Sequence, residues 1–127
     1  MFRILLAITL AISSLSCAEK DTTAPNVVAT FPSNGSTDID PSIGEISVTF
    51  SEEMQDGSWS WAYADKSKFP EMNGDPVYTD NYRKNTLPVR LEPNKEYEIW
   101  INTQEFGNFK DKSGNSAIPY KLAFKTR

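Results

Sequence analysis

The chain has 127 residues, with 17 acidic and 13 basic side chains and no histidine, which gives a formal net charge of −4. This length supports one domain with a sizeable core. An acidic chain without a basic cluster binds nucleic acid and anionic lipid head groups poorly. The lack of histidine removes the commonest general base and the commonest transition-metal ligand. The totals therefore favour a single globular domain with no nucleic-acid partner.

The first sixteen residues have the pattern of an export signal. Arg3 precedes an apolar run from Ile4 to Ile12, and small residues follow that run. The apolar run is too short to span a bilayer. Residues 1–16 therefore predict a lipoprotein signal peptide, and the polar residues 17–25 predict a short tether between the anchor and the domain.

Cys17 is the only cysteine of the chain, so an intrachain disulfide is excluded. It follows Ser14-Leu15-Ser16, an order that resembles a bacterial lipobox, although that pattern prefers the leucine three residues before the cysteine. A lone cysteine at this place predicts lipidation of Cys17 and a lipid-anchored protein of the outer membrane or cell surface. The alternative is an ordinary secretory signal followed by an incidental cysteine.

Residues 26–127 show repeated two-residue alternation and no sustained helical period. In the clearest case Ile46, Val48 and Phe50 alternate with hydroxyl side chains, which predicts a central antiparallel strand with one buried face. Seven short strands with turn residues between them are predicted, at about 26–32, 46–54, 58–63, 76–78, 86–91, 96–102 and 120–126. This pattern is typical of an all-β sandwich.

Five short motifs occur in a recognisable order, and the chain resembles a bacterial Ig-like domain of the S-layer (SbsA-like) type over roughly residues 23–127. The motifs are Thr23-Ala-Pro25, Pro32-Ser-Asn-Gly35, the Phe-Ser-Glu-x-Met ending at Met54, Leu91-Glu-Pro-Asn-Lys-Glu-Tyr97 and Asp111-Lys-Ser-Gly-Asn115. The resemblance implies a seven-stranded Ig-like β-sandwich with antiparallel Greek-key topology. It also implies a spacer or binding module, since such domains are usually appended to larger surface proteins.

The segment from Leu91 to Tyr97 suits a corner between two sheets. Pro93 fixes its own φ, and Asn94 tolerates a positive φ. The hydroxyl of Tyr97 is expected to bond to the backbone a few residues upstream.

Three tryptophans are candidate ligand-binding residues. Trp59 and Trp61 lie two residues apart, so they share a face that either packs on the opposite sheet or forms a platform for sugar rings or a protein partner. Packing is the favoured interpretation for this pair. Trp100 alternates with Ile99 and Ile101, so it is expected to point outward if the isoleucines point into the core.

Two groups of side chains carry the oxygen atoms that Ca²⁺ accepts as ligands. The Asp111 group lacks the twelve-residue spacing of an EF-hand loop, and Lys110 and Lys112 repel a cation, so turn formation is the better account and no metal or cofactor is expected. The groups are Glu52, Glu53 and Asp56, and Asp111, Ser113 and Asn115.

No stretch of the chain contains a recognised catalytic motif. Histidine is absent, no Gly-x-Ser-x-Gly or phosphate loop occurs, and the paired Glu96 and Glu98 are expected on the solvated face of a strand. The prediction is a non-catalytic cell-envelope lipoprotein whose Ig-like domain contacts an envelope protein or polysaccharide. The alternative is a structural or spacer module of an envelope assembly. A small glycan-active enzyme is disfavoured because the catalytic set is missing.

Overall fold

In a computed structural model that describes residues 21–127, the chain forms two antiparallel sheets that pack face to face. The eight strands are β1 (Val27–Phe31), β2 (Glu45–Phe50), β3 (Trp61–Ala62), β4 (Glu71–Met72), β5 (Val77–Thr79), β6 (Lys84–Arg90), β7 (Glu96–Ile101) and β8 (Tyr120–Lys125). Short 3₁₀ turns lie at Pro41–Ile43 and Lys66–Lys68. The first sheet has the order β1-β2-β6-β4, with β5 also on β6, and the second has the order β3-β7-β8. The predicted all-β, Ig-like sandwich is confirmed.

The strand count is eight and not the predicted seven, because β4 forms inside the segment predicted to be a loop. β4 and β5 lie one after the other along the same edge of β6. Between them, the chain leaves the ladder opposite Pro88, which has no backbone N–H to donate. Asn73 still donates its N–H to the Pro88 carbonyl at 2.9 Å. A strand of two residues shows no alternation, so the sequence carries no period-two signal for β4.

The core lies between the two sheets. Each strand contributes to it the alternate side chains that the sequence pattern predicts. Ile46, Val48 and Phe50 of β2 are all buried, as the alternation predicts. The other core side chains come from β6, β7, β8 and the connecting loops: Leu87, Val89, Tyr97, Ile99, Ile101, Leu122, Phe124, Met54, Phe109 and Ala117. Phe50 and Phe109 have ring centroids 5.1 Å apart, so a loop side chain closes the open end of the sandwich.

The predicted corner between the sheets is present. The backbone N–H of Glu92 donates to the Tyr97 hydroxyl at 2.7 Å. Asn94 has φ 51°, the left-handed conformation that its short amide side chain tolerates. The corner therefore fixes the angle at which β6 passes into β7.

The last five residues of the predicted tether contact the domain. Pro25 is buried and its carbonyl accepts the N–H of Ile118 at 3.0 Å. The Asn115 side chain donates to the Asp21 carbonyl at 2.8 Å. Residues 21–25 are thus part of the folded unit, whereas the predicted signal peptide 1–16 and Cys17 lie outside the described residues.

Within residues 21–127, no helix has both the length and the apolar character needed to cross a membrane.

Candidate functional site

All three tryptophans of the chain lie beside one edge of the second sheet. Together with two other rings they form what we call the aromatic surface: Trp59, Trp61, Tyr63, Trp100 and Phe106. The surface contains two grooves. The first, of about 510 Å³, runs beside β3, and the second, of about 540 Å³, lies next to Trp100. Tyr63 and Phe106 line both grooves, so the grooves are neighbours, with Trp59 and Trp61 in the first and Trp100 in the second.

Trp61 combines a core contact with a place in the first groove. Its register partner on β7 is Ile101, which is buried, so both side chains point inward. The indole meets Phe109 edge to face, with ring centroids 5.5 Å apart at 82°. Its Nε1–H donates to Oδ1 of Asn85 at 2.8 Å. The Asn85 side chain is itself fully buried, so this hydrogen bond holds the Trp61 ring in place.

Trp59 is held in a second aromatic contact. Its ring centroid lies 6.5 Å from that of Tyr78, whose hydroxyl donates to the Ser58 carbonyl at 2.6 Å. Burial, with a smaller effect from the charge of Asp56, raises the pKa of Tyr78 well above its ordinary value, so this donor keeps its proton at any physiological pH. Trp59 and Trp61 are both partly buried against the core. The packing interpretation of the pair is confirmed, and the remaining exposed parts of the rings line the first groove.

Trp100 points outward, but it is half-buried and not freely exposed. The alternation with Ile99 and Ile101 predicts the direction correctly, since both isoleucines are fully buried. The reason for the partial cover is the second groove, where the chain from Thr103 to Phe106 lies beside the indole. The Trp100 ring therefore forms a groove wall and not an isolated exposed side chain.

The loop after β7 fixes Phe106 at the surface. Asn102, which is buried, donates from Nδ2 to the carbonyls of Phe109 and Ala117, both at 3.0 Å, and its Oδ1 accepts the Phe109 N–H at 2.9 Å. The Thr103 N–H donates to the Phe106 carbonyl at 2.9 Å, which closes a tight turn. Phe106 is 56% exposed on this hydrogen-bonded turn.

Sequence reasoning missed Tyr63 and Phe106 as site residues. Tyr63 is 47% exposed just after the end of β3. The sequence signal for Tyr63 was an aromatic side chain two residues after Trp61. The signal for Phe106 was a phenylalanine in a polar loop. Phe109 in the same loop is fully buried, so the loop sequence alone does not distinguish the two phenylalanines.

The first groove is apolar with few polar groups. Met72, which is exposed, forms part of its wall on the side of the first sheet. Among the residues that line this groove, Asp75 is the one charged side chain, with Asn108 and Ser60 as neutral polar neighbours. A single carboxylate does not supply the acid–base pair that glycosidic hydrolysis needs. The groove is suited to contact and not to that chemistry.

Away from the aromatic surface, three carboxylates lie close together. The sequence did not predict this cluster. Oxygens of Asp21, Glu52 and Asp111 lie within 4.8 Å of one another. The expectation of no metal treated the two acidic groups of the sequence as separate, whereas Glu52 comes from one and Asp111 from the other. Carboxylate oxygens this close are ligands of the type that Ca²⁺ accepts. Backbone N–H groups of Ser113 and Asn115 already donate to one Asp111 oxygen, at 2.9 and 2.8 Å.

Glu52 and Asp111 of this group differ in their pKa. Burial, with added repulsion from Asp111 and Asp21, raises the pKa of Glu52 to about 7. Burial also acts to raise the pKa of Asp111, but the hydrogen bonds from Asn115, Glu52 and Ser113 outweigh it and hold that pKa below its ordinary value. Near neutral pH Asp111 is thus ionised and Glu52 is close to its midpoint.

A family model described as bacterial Ig-like domain matches residues 21–126. This range agrees with the one over which the sequence motifs resemble such a domain. None of the curated proteins matches the chain. Similar solved structures are a structure of domains 1–6 of surface layer protein SbsC and a crystal structure of the S-layer protein rSbsC, each with a TM-score of 0.46 at 15% sequence identity. In both comparisons, the matched region covers 87% of this chain and 14% of the S-layer chain.

Proposed function

Because the chain belongs to the bacterial Ig-like domain family, we propose that it is a non-catalytic binding module of the bacterial cell envelope. Its ligand contact is the aromatic surface, and its partner is an envelope protein or polysaccharide. A lipid on Cys17 holds the module at the membrane, and the short segment after Cys17 keeps the folded unit close to the lipid.

The observation that carries this proposal is the presence of five aromatic side chains around two neighbouring grooves. Trp59 and Trp61 are explained in part by core packing, but Tyr63 and Phe106 expose about half of their surface without closing the core. Contiguous exposed apolar surface of this kind marks interaction sites in soluble domains. A pure spacer has no use for it, which is the reason we favour binding over the structural alternative.

The proposal is tested by co-sedimentation with isolated cell envelopes from the bacterium that makes the protein, with Cys17→Ser in every variant so that no lipid anchor contributes to sedimentation. Trp100→Ala and Phe106→Ala remove one wall of the second groove and the ring shared by both grooves. We expect each variant to lower the bound fraction at least about fivefold, because aromatic anchors often dominate binding energy. Circular dichroism checks that both variants keep the β-sandwich.

Val28→Ala is the matched control, because Val28 is an equally exposed apolar residue on β1 of the other sheet. We expect it to sediment like the wild type. If both aromatic variants also bind like the wild type, the aromatic surface is not the ligand contact and the proposed function fails.

A further inference from the structure

The backbone of β3 faces the first groove with free hydrogen-bonding groups. The N–H of Asn102 donates to the Ser60 carbonyl at 3.1 Å, and the register pairs Trp61 with Ile101. In an antiparallel ladder, successive residues alternate between hydrogen-bonded and non-hydrogen-bonded pairs. The N–H and C=O of Trp61 therefore point away from β7 and toward the groove.

The residues two positions before and after Trp61 extend this free edge. In the described part of the chain, no hydrogen bond engages the backbone N–H or C=O of Trp59 or of Tyr63. Both residues line the first groove, as Trp61 does. Three alternate residues thus present unpaired donors and acceptors along one side of a groove, which is the pattern that an added strand would pair with.

Two other strand edges of the sandwich are protected, as the edges of natural sheets normally are. The outer edge of β8 is covered, since Gly35 donates to the Ala123 carbonyl at 2.7 Å and Lys125 donates to the Ser36 carbonyl at 2.8 Å. β1 is interrupted by a register shift between Val27 and Ala29. The β3 edge has no such protection, because residues 58–64 contain no proline and no charged side chain.

We propose that the β3 edge accepts an extended polypeptide segment as an additional strand. The inference rests on the proposed function and names the partner as protein. Side chains on alternate positions of the added strand would enter the first groove and contact Met72 and Phe106, which favours apolar residues there. The one charged side chain of the groove is Asp75, so the segment is neutral or basic.

A polysaccharide fits the first groove less well than a strand does. Sugar recognition uses free aromatic faces together with several polar side chains. Trp59 and Trp61 already make aromatic contacts with Tyr78 and Phe109, and the groove offers few polar side chains. The unpaired backbone groups of the edge match the repeat of a polypeptide, and a sugar chain lacks that repeat.

The test uses the full-length protein in detergent micelles, panned against a displayed library of random peptides of about 12 residues. We expect enriched peptides that alternate apolar with polar residues and carry lysine or arginine. Binding is measured by tryptophan fluorescence, because all three tryptophans lie in the aromatic surface. Amide hydrogen exchange of Trp61 and Tyr63 should slow at least about tenfold in the complex.

Backbone methylation of a selected peptide gives the decisive measurement. Methylating the backbone N–H groups of the alternate residues that face β3 should weaken binding at least about tenfold. Methylating those of the residues in between should leave binding unchanged, because a strand pairs with its neighbour through alternate residues. On the protein, Tyr63→Pro removes one outward N–H, and Tyr63→Ala keeps that N–H while losing the ring. We expect the proline variant to bind more weakly than the alanine variant.

The inference is overturned if no library peptide binds, or if methylation of either parity weakens binding equally. Soluble peptidoglycan fragments and the N-acetylglucosamine tetramer serve as carbohydrate probes. If these shift the tryptophan fluorescence and Trp100→Ala abolishes the shift, the proposed function stands and the polypeptide inference is wrong. If neither peptides nor carbohydrates bind, the polypeptide inference is wrong, and the envelope co-sedimentation alone decides the proposed function.

Discussion

Glu52 carries a carboxyl group that the fold places against two others. Its ordinary pKa of 4.5 rises to about 7 because the group is partly desolvated and lies beside Asp111 and Asp21. An unfolded chain releases this proton near 4.5, whereas the folded chain keeps it to near neutrality. Between these values the folded state binds more protons, so the free energy of unfolding falls as the pH rises.

We therefore expect the melting temperature to fall by several degrees between about pH 5 and about pH 7.5 at constant ionic strength. Asp111 does not oppose this, because its pKa is lowered from 3.8 and its effect on stability changes only at more acidic pH. Glu52→Gln should flatten the profile and raise the melting temperature at the upper end, because an amide needs no proton to remain neutral. Differential scanning calorimetry across the range measures both effects.

Glu53→Gln is the control at the neighbouring position. Glu53 is ion-paired with Lys112 at 2.6 Å, and the Lys112 ammonium holds the pKa of Glu53 below its ordinary value. Its charge is therefore constant between pH 5 and pH 7.5, and this variant should keep the wild-type slope. A Glu52→Gln profile as steep as the wild type would assign the slope to another group.

Single residues of the candidate site were predictable where strand parity determines them. The outward direction of Trp100 follows from Ile99 and Ile101, and the partial burial of Trp61 follows from its period-two relation to the core. The exposure of Phe106 depends on the Thr103 turn and on the buried Asn102 amide, which are contacts formed in three dimensions. Such contacts leave no periodic signal in the sequence.

At the scale of elements, the alternation in β2 determines which face enters the core. Phe50 is 1% exposed and packs on Phe109, so its ring contributes to the contact that closes one end of the sandwich. The residues before it in β2 follow the same parity, with Ile46 and Val48 fully buried. A shift of one residue in register would turn all three side chains to solvent.

Phe50→Ala should lower the free energy of unfolding by about 3–5 kcal/mol, through lost burial and the cavity that remains. The measurement is chemical denaturation at a fixed pH. Phe106→Ala is the matched control, since the same side chain is removed from a surface turn, and it should change stability by less than about 0.5 kcal/mol. A loss below about 1 kcal/mol for Phe50→Ala would contradict the buried position of this ring.

Elements that depend on a neighbour were not predictable in the same way. β4 exists because Glu71 and Met72 find partners in Arg90 and Val89 at the end of β6. The sequence around β4 contains Pro70 and Gly74, which favour a loop. Pairing with β6 overrides that local preference, as tertiary context often does in sheets.

At the scale of the whole molecule, the predicted anchor determines where the domain is held. Cys17→Ser should move the protein from the membrane fraction to the soluble fraction and abolish labelling by a fatty-acid probe, because Ser does not carry the thioether-linked lipid. Fractionation of cells that express either form measures this. A variant that stays with the membrane, together with a wild type that takes no label, would favour an ordinary secretory signal.

The coverage of β8 by the segment from Asn34 to Ile39 has a consequence for secretion. The Ala123 N–H donates to the Asn34 side chain across 89 residues of chain, and Leu122 and Phe124 complete the core. The sandwich therefore cannot close until its last strand is synthesised, and folding dominated by such distant contacts takes milliseconds to seconds. For a chain exported as its first residues predict, the earlier strands stay unfolded for as long as β8 has not emerged, because the sandwich closes only with that strand.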